Sequence, residues 1–163
     1  MAKVIKTNKG DALTMFVVLG KVPSSKLAAD TARYLGARRA VKKAVKEYID
    51  WELDHVKKIQ EESNKINDAL AKLGKDDADE KGKLNAKRTD LISKANKEFE
   101  KQKELLKTQK VEITFDNEEF LFTSNLIKSN APAFFSEGED KPFDAEAADV
   151  VFELLDSAES PKE

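Results

Sequence analysis

The sequence predicts a mainly α-helical protein: a long antiparallel helical hairpin, coiled-coil in character, with a small α+β head formed by both termini. Three observations predict it. No proline falls between Pro23 and Pro132, so nothing in that stretch forbids very long helices. Two amphipathic patterns of similar period flank one short acidic, glycine-bounded patch, "GKDDADEKG". The two good strand candidates, "KVIKT" and "KVEITF", lie on either side of this helical stretch, and both have the alternation of short strands able to pair.

Taken in order, "AKVIKT" reads as a short strand and "KGDALTMFVVLGKV" as a first helix, capped by Asp11 and closed by Gly20. Pro23 stands where a proline suits a helix start, with Ser24 and Ser25 as cap candidates. A helix from about Ser24 to Leu73 would be roughly 75 Å long at about 1.5 Å per residue. Its apolar register, Val45, Ile49, Glu52, Val56, Ile59, Ser63, Ile66, Leu70 and Leu73, alternates steps of four and three with two polar interruptions, which is a heptad seam. Such a rod cannot bury its stripe alone. Leu84, Arg88, Leu91, Ala95, Phe99, Gln102 and Leu106 repeat the period, and Gly74 and Gly82 offer a left-handed cap and a turn between the two. Folding back near Ala78 sets Leu73 against Leu84, Ile66 against Leu91, Ser63 against Ala95 and Ile59 against Phe99 or its neighbour, small opposite small and large opposite large. The same seam would also support an intermolecular coiled coil.

Past Gln109 the character changes. "KVEITF" is the second strand; "DNEEFLFTSNLIKSN" opens with a capping-box-like Asp116 and Glu119, and "FDAEAADVVFELLDSAE" with Asp144 as N-cap, giving two short terminal helices. "SEGEDKPFD" between them reads as a solvated loop. Seven of the nine phenylalanines lie in this tail, enough apolar area to need a surface to pack on. Tyr34, Val41, Tyr48 and His55, recurring every seven residues beside the seam, offer one. The expected division of the 163-residue domain is a head of residues 1–44 and 110–163 and a projecting hairpin of residues 45–109, its tip at 74–82.

Hydrophobic residues make up 40% and charged residues 37% of the chain, against about 25% charged in an ordinary domain, which suits a slender helical protein with a small core. No run approaches the roughly 18 apolar residues of a membrane span. "ALTMFVVLG" reaches about half that and passes into "GKVPSSKLAAD" without a small-residue cleavage site, so the expected location is the cytoplasm. The net charge of −2 hides an asymmetry: residues 111–163 carry three lysines against fourteen acidic residues, and residues 1–110 are net +9. Docking of the acidic C-terminal part on the basic helices is the expected use of it.

The residues give no sign of an enzyme. The only histidine, His55, sits at helical spacing from Tyr48 and Trp51 beside Glu52 and Asp54, with no nucleophile nominated as its partner; it reads as a packing histidine. One histidine and no cysteine rule out the usual zinc sites. Asp76, Asp77, Asp79 and Glu80 lack the ligand spacing and terminal glutamate of a calcium loop, and no phosphate-binding glycine motif occurs. No cofactor is expected. Two features point to partners instead. Arg38, Arg39, Lys42, Lys43 and Lys46 share one helical face opposite Ala37, Ala40, Val41, Ala44 and Val45, a ladder of cations able to follow a phosphate backbone; a solvated face or one neutralised by the acidic tail is the competing reading. Phe120, Phe122, Phe134 and Phe135 are the candidate contact residues for a protein partner if they are not core.

Thr7, Asn8 and Lys9 at the end of the first strand, Lys26, Leu27 and Ala28 opening the long helix, and Glu47 and Tyr48 where it turns from basic to acidic form a pattern. It resembles the N-terminal half of small, mostly uncharacterised proteins of tailed bacteriophages. The similarity covers about a quarter of the chain, and the charged hairpin and phenylalanine-rich tail depart from it. It implies a phage origin and a virion-assembly or host-directed accessory role, and carries over no catalytic residue. The expected function is therefore non-enzymatic binding and modulation of a host or phage protein. The alternatives are an assembly component that self-associates through the hairpin, burying Ile92 and Leu105, and nucleic-acid binding through residues 38–46.

Overall fold

A computed structural model describes residues 2–27, 30–136 and 140–161. Ala28 of the phage-like pattern and residues 137–139 of the acidic loop lie outside the described residues. The fold is mainly α with one small antiparallel sheet, and it divides into two compact units, Met1–Lys46 with Leu106–Glu163, and Glu47–Leu105.

In the first unit, β1 (Ala2–Asn8) and β2 (Lys110–Asp116) pair antiparallel with Ile5 opposite Ile113 and Lys3 opposite Phe115. Alternation places Ile5, Ile113 and Phe115 in the core and leaves Lys6 and Glu112 on the open face, 3.9 Å apart. The outer edge of β1 is met by the C-terminal segment, Val4 and Glu159 exchanging backbone hydrogen bonds of 2.8 and 2.9 Å.

Helix α1 (Lys9–Leu19) follows β1 without a break, so its N-cap is Asn8 and not Asp11. Asn8 keeps extended backbone, and its Oδ1 accepts from the Asp11 amide at 2.8 Å; Asp11 sits in the first turn, where its charge favours the helix dipole. Gly20 closes the helix as expected. Tyr34 donates its hydroxyl to the Leu19 carbonyl, one of the acceptors a helix end leaves without an intrahelical partner.

The expected 50-residue helix is broken near its start. A short α2 (Ser24–Leu27) contains both serines offered as caps, and α3 runs from Thr31 to Ala71, about 60 Å. Its first four turns belong to the first unit and bury Tyr34, Ala37, Val41 and Val45. Helix α5 (Asn117–Ser129) is capped by Asp116, which accepts from the Glu118 and Glu119 amides at 2.9 and 3.1 Å. It buries Phe120, Thr123, Ser124 and Ile127 at the i, i+3, i+4, i+7 positions of one face. The Glu119 carboxylate lies over Gly36 of α3, leaving no room there for a Cβ unless it moves. A one-turn helix not expected from the sequence, α6 (Ala131–Phe135), precedes α7 (Ala145–Asp156), whose N-cap Asp144 accepts from Ala147 at 3.0 Å. Helix α7 packs on α1 and α6 and buries Ala148, Val151, Leu154 and Leu155.

The second unit consists of the rest of α3 and α4 (Ala78–Leu106). The turn between them is tighter than the glycines suggested: Gly82 lies inside α4, and Gly74 does not take the left-handed conformation. Asp77 closes it instead, its carboxylate accepting from the Gly74 amide at 2.9 Å and its carbonyl accepting from Lys81 at 3.0 Å.

Candidate binding surfaces

The seam of the hairpin unit is laid down by the 3–4 spacing, in the register read in sequence from Ile59 onward and shifted by one residue near its Glu47 end. Val56 is 45% exposed, and His55 takes the inward position. The facing positions on α3 are Tyr48, Glu52, His55, Ile59, Ser63, Ile66 and Leu70, with Leu73 just past its end, and on α4 Leu84, Arg88, Leu91, Ala95, Phe99 and Gln102. Each helix contains one step of four followed by another, at 55–59–63 and at 91–95–99, so a local unwinding on one helix is matched on the other. Arg88 donates to the Asn67 side chain across the seam at 3.0 Å.

Near its Glu47 end the seam is aromatic. Trp51 stacks on His55 with ring centres 4.9 Å apart, and Phe99 of α4 meets both edge-on at 5.5 and 5.0 Å. Tyr48 completes the group 5.8 Å from Trp51. Phe99 thus packs on His55 and Trp51, one and two turns before Ile59, which the sequence set against Phe99 or its neighbour. The buried His55 Nε2 and Tyr48 hydroxyl have no hydrogen-bond partner, and burial, then the Glu52 carboxylate one turn on, pushes the Tyr48 hydroxyl well above the ordinary tyrosine range. His55 is held by ring contacts, stacked on Trp51 and met edge-on by Phe99.

Towards the turn, the seam opens. Only Ile66 and Ala95 are fully buried among its aliphatic positions, and a cleft of about 510 Å³ lies between the helices. Ile66, Ala69, Leu84 and Leu91 are its apolar lining, and the charged lining is mixed, Lys65 and Glu62 from α3 and Lys87, Lys94 and Asp90 from α4. Outside the seam Leu53 and Ile92 are 67% and 48% exposed, and Leu105 is also exposed.

The phenylalanines proposed as contacts are placed differently. Phe120, Phe134 and Phe135 are buried, with Phe120 against Phe115 and Phe135 against Phe143 and Phe152; Phe122 is half-buried. The tail is core of its own unit, because α5, α6 and α7 bring the rings together on the sheet and on α1, and these three rings are removed from the candidate contact surface.

The cationic face is real but smaller than read. Arg38 leaves it, lying half-buried with its guanidinium 4.5 Å over the Phe16 ring. The same guanidinium lowers the Tyr34 hydroxyl slightly against a larger upward push from burial. Arg39, Lys42, Lys43 and Lys46 are exposed and span an arc of about 100° on the helix. Among the described residues the acidic tail does not pair with them: it meets α3 where Glu118 reaches Arg33 at 3.7 Å and where the Glu119 carboxylate lies over Gly36, and no acidic group pairs with the four cations.

One further surface escaped sequence reading. Lys6, Lys107 and Lys110 line a cleft of about 650 Å³ with Thr7, Asn8, Thr108 and Glu112. It exists because Asn8 pairs with Lys110 at the end of the sheet, a juxtaposition that only the strand register discloses. Among the described residues, no cluster of three or more histidine, cysteine or carboxylate side chains is arranged to hold a metal, and no helix is long and apolar enough to cross a membrane. No protein-family model matches the chain, and no curated protein and no solved structure matches it significantly.

Proposed function

We propose that the chain is a non-enzymatic protein-binding protein whose hairpin unit takes an amphipathic helix of a partner along the open part of its seam. One observation carries this reading: the Ile66–Leu91 stretch is an apolar floor only half covered by its own two helices. Two helices in contact leave the sides of their seam wet, and a third with apolar residues at i, i+3, i+4 and i+7 removes that surface from water. Lys94 of the lining is paired with Asp90, and Lys65 and Lys87 outweigh the remaining Glu62, which favours a helix flanked by acidic residues. The phage-like N-terminal pattern makes a host-directed accessory role the setting we propose for it, in the cytoplasm of an infected cell.

The second reading, self-association as an assembly component, is favoured by the exposed Leu53, Val56 and Ile92 outside the seam. Both are tested together by light scattering of the purified chain and by affinity capture from infected and uninfected lysate. The baits are the wild type and a Lys65→Glu/Lys87→Glu variant. A stoichiometric protein held by the wild type and lost by the double variant, with the bait monomeric, is the expected result. A stable homo-oligomer that captures only itself or virion proteins moves the conclusion to assembly. A monomer whose captured proteins are unchanged by the double variant overturns the cleft.

A further inference from the structure

We infer that the outer face of α3 in the first unit, Arg39, Lys42, Lys43 and Lys46, binds the phosphate backbone of duplex DNA. It uses a surface and a unit different from those of the hairpin seam, so the two ideas stand or fall separately.

The face is built to be rigid. Directly behind it Tyr34, Ala37, Val41 and Val45 are buried, and the Tyr34 hydroxyl is bonded to the end of α1. The four cations are thus carried on a helix whose opposite side is packed throughout their length. They are also uncompensated. The tail that follows β2 brings twelve acidic residues into the chain's last third, yet among the described residues Glu118 pairs with Arg33 and Asp156 with Lys128, and no ion pair joins a carboxylate to Arg39, Lys42, Lys43 or Lys46.

The chemistry of the face chooses the ligand. Lysine is depleted at protein interfaces, which are anchored by aromatic and aliphatic residues filling pockets. Between Arg39 and Lys46 the exposed side chains are all cationic, and the intervening Ala40 and Ala44 are too small to anchor anything. A phosphate backbone needs only charge. The four positions span about 10 Å of helix, and a duplex presents one phosphate per ~1.7 Å of its axis. The absence of an aromatic residue among the cations removes the stacking platform that single strands use, and nothing on this face reads base edges, so binding is independent of sequence.

The test is fluorescence anisotropy of a labelled 20-base-pair DNA duplex titrated with the full chain between 50 and 200 mM salt. Four phosphate contacts give a slope of about −3 to −4 in log affinity against log salt, a loss on the order of a hundredfold across that range. Lys42→Glu/Lys43→Glu, at exposed positions where circular dichroism should stay unchanged, is expected to abolish binding or at least halve the slope. Lys57→Glu/Lys58→Glu in the other unit should leave it intact. No binding at 50 mM salt, or equal binding by the Lys42/Lys43 variant, overturns the inference. Tighter binding of polyglutamate than of the duplex at the same salt also overturns it, and assigns the face to an acidic protein.

Discussion

Two buried tyrosines are alike in burial and opposite in consequence. The Tyr34 hydroxyl satisfies the Leu19 carbonyl, while the Tyr48 hydroxyl is buried with no hydrogen-bond partner. Removing one partner of a buried hydrogen bond costs about 1–3 kcal/mol, whereas removing a group that had none relieves a penalty of similar origin. Tyr34→Phe should therefore lower stability by about 1–2 kcal/mol in urea unfolding, and Tyr48→Phe should leave it unchanged or raise it by up to ~1 kcal/mol. Both hydroxyls are held protonated above the ordinary tyrosine value of 10.0, chiefly by burial. The folded state thus keeps protons that the unfolded chain gives up, and the stability this represents is intact below about pH 10 and is lost as pH rises beyond it. Unfolding midpoints should hold steady up to that pH and then fall, and fall less steeply in Tyr48→Phe.

For the elements, the seam of α3 and α4 is the place where side-chain packing decides stability. Phe99→Ala removes the ring that closes on Trp51 and His55 and should cost about 2–3 kcal/mol, less than a fully buried phenylalanine because Phe99 is only half-buried. Trp51 is the sole tryptophan, so a red shift of its emission in the folded variant checks the loss. The existence of these helices, and most of the α4 register, could be read from period alone, since Leu84, Leu91, Ala95 and Phe99 all face inward. The α3 register was legible from Ile59 to Leu70 and not at its Glu47 end, where Val56 and His55 compete for one position and hydrophobicity favours the wrong one. What decides is the Trp51–Phe99–His55 packing, which needs both helices at once. The same limit explains the phenylalanine tail: its richness announced a packing surface, but whether that surface belonged to the chain or to a partner depended on α6, a helix too short to have a period. The caps were legible where the residue had no rival, as at Asp116 and Asp144, and misread where Asn8 stood just ahead of Asp11.

Across the whole molecule the two units differ in how much they bury. The first has a continuous core from Ile5 and Met15 through Ile113, Phe134 and Val151, and the second has only scattered fully buried residues, Tyr48, Ile66 and Ala95. Local opening follows buried apolar contact. Native-state hydrogen exchange should protect amides of β2, α1 and α7 most strongly, while amides between about residues 60 and 90 exchange faster by several orders of magnitude. Equal protection in the two regions would contradict the small core of the hairpin unit. A partner helix lying in the Ile66–Leu91 cleft is expected to slow that exchange selectively, which makes the same measurement a map of binding.

The backbone exchange between Val4 and Glu159 has a consequence for how the protein survives in a crowded cell. A two-stranded sheet has two bare margins, each able to template a strand from another molecule. On the β1 side the segment at Glu159 occupies the middle of that margin, so the chain itself denies strangers a foothold there. Trimming it after Ala158, which spares the Ser157 cap of α7, is expected to bare that margin and turn the molecule into one that recruits its neighbours.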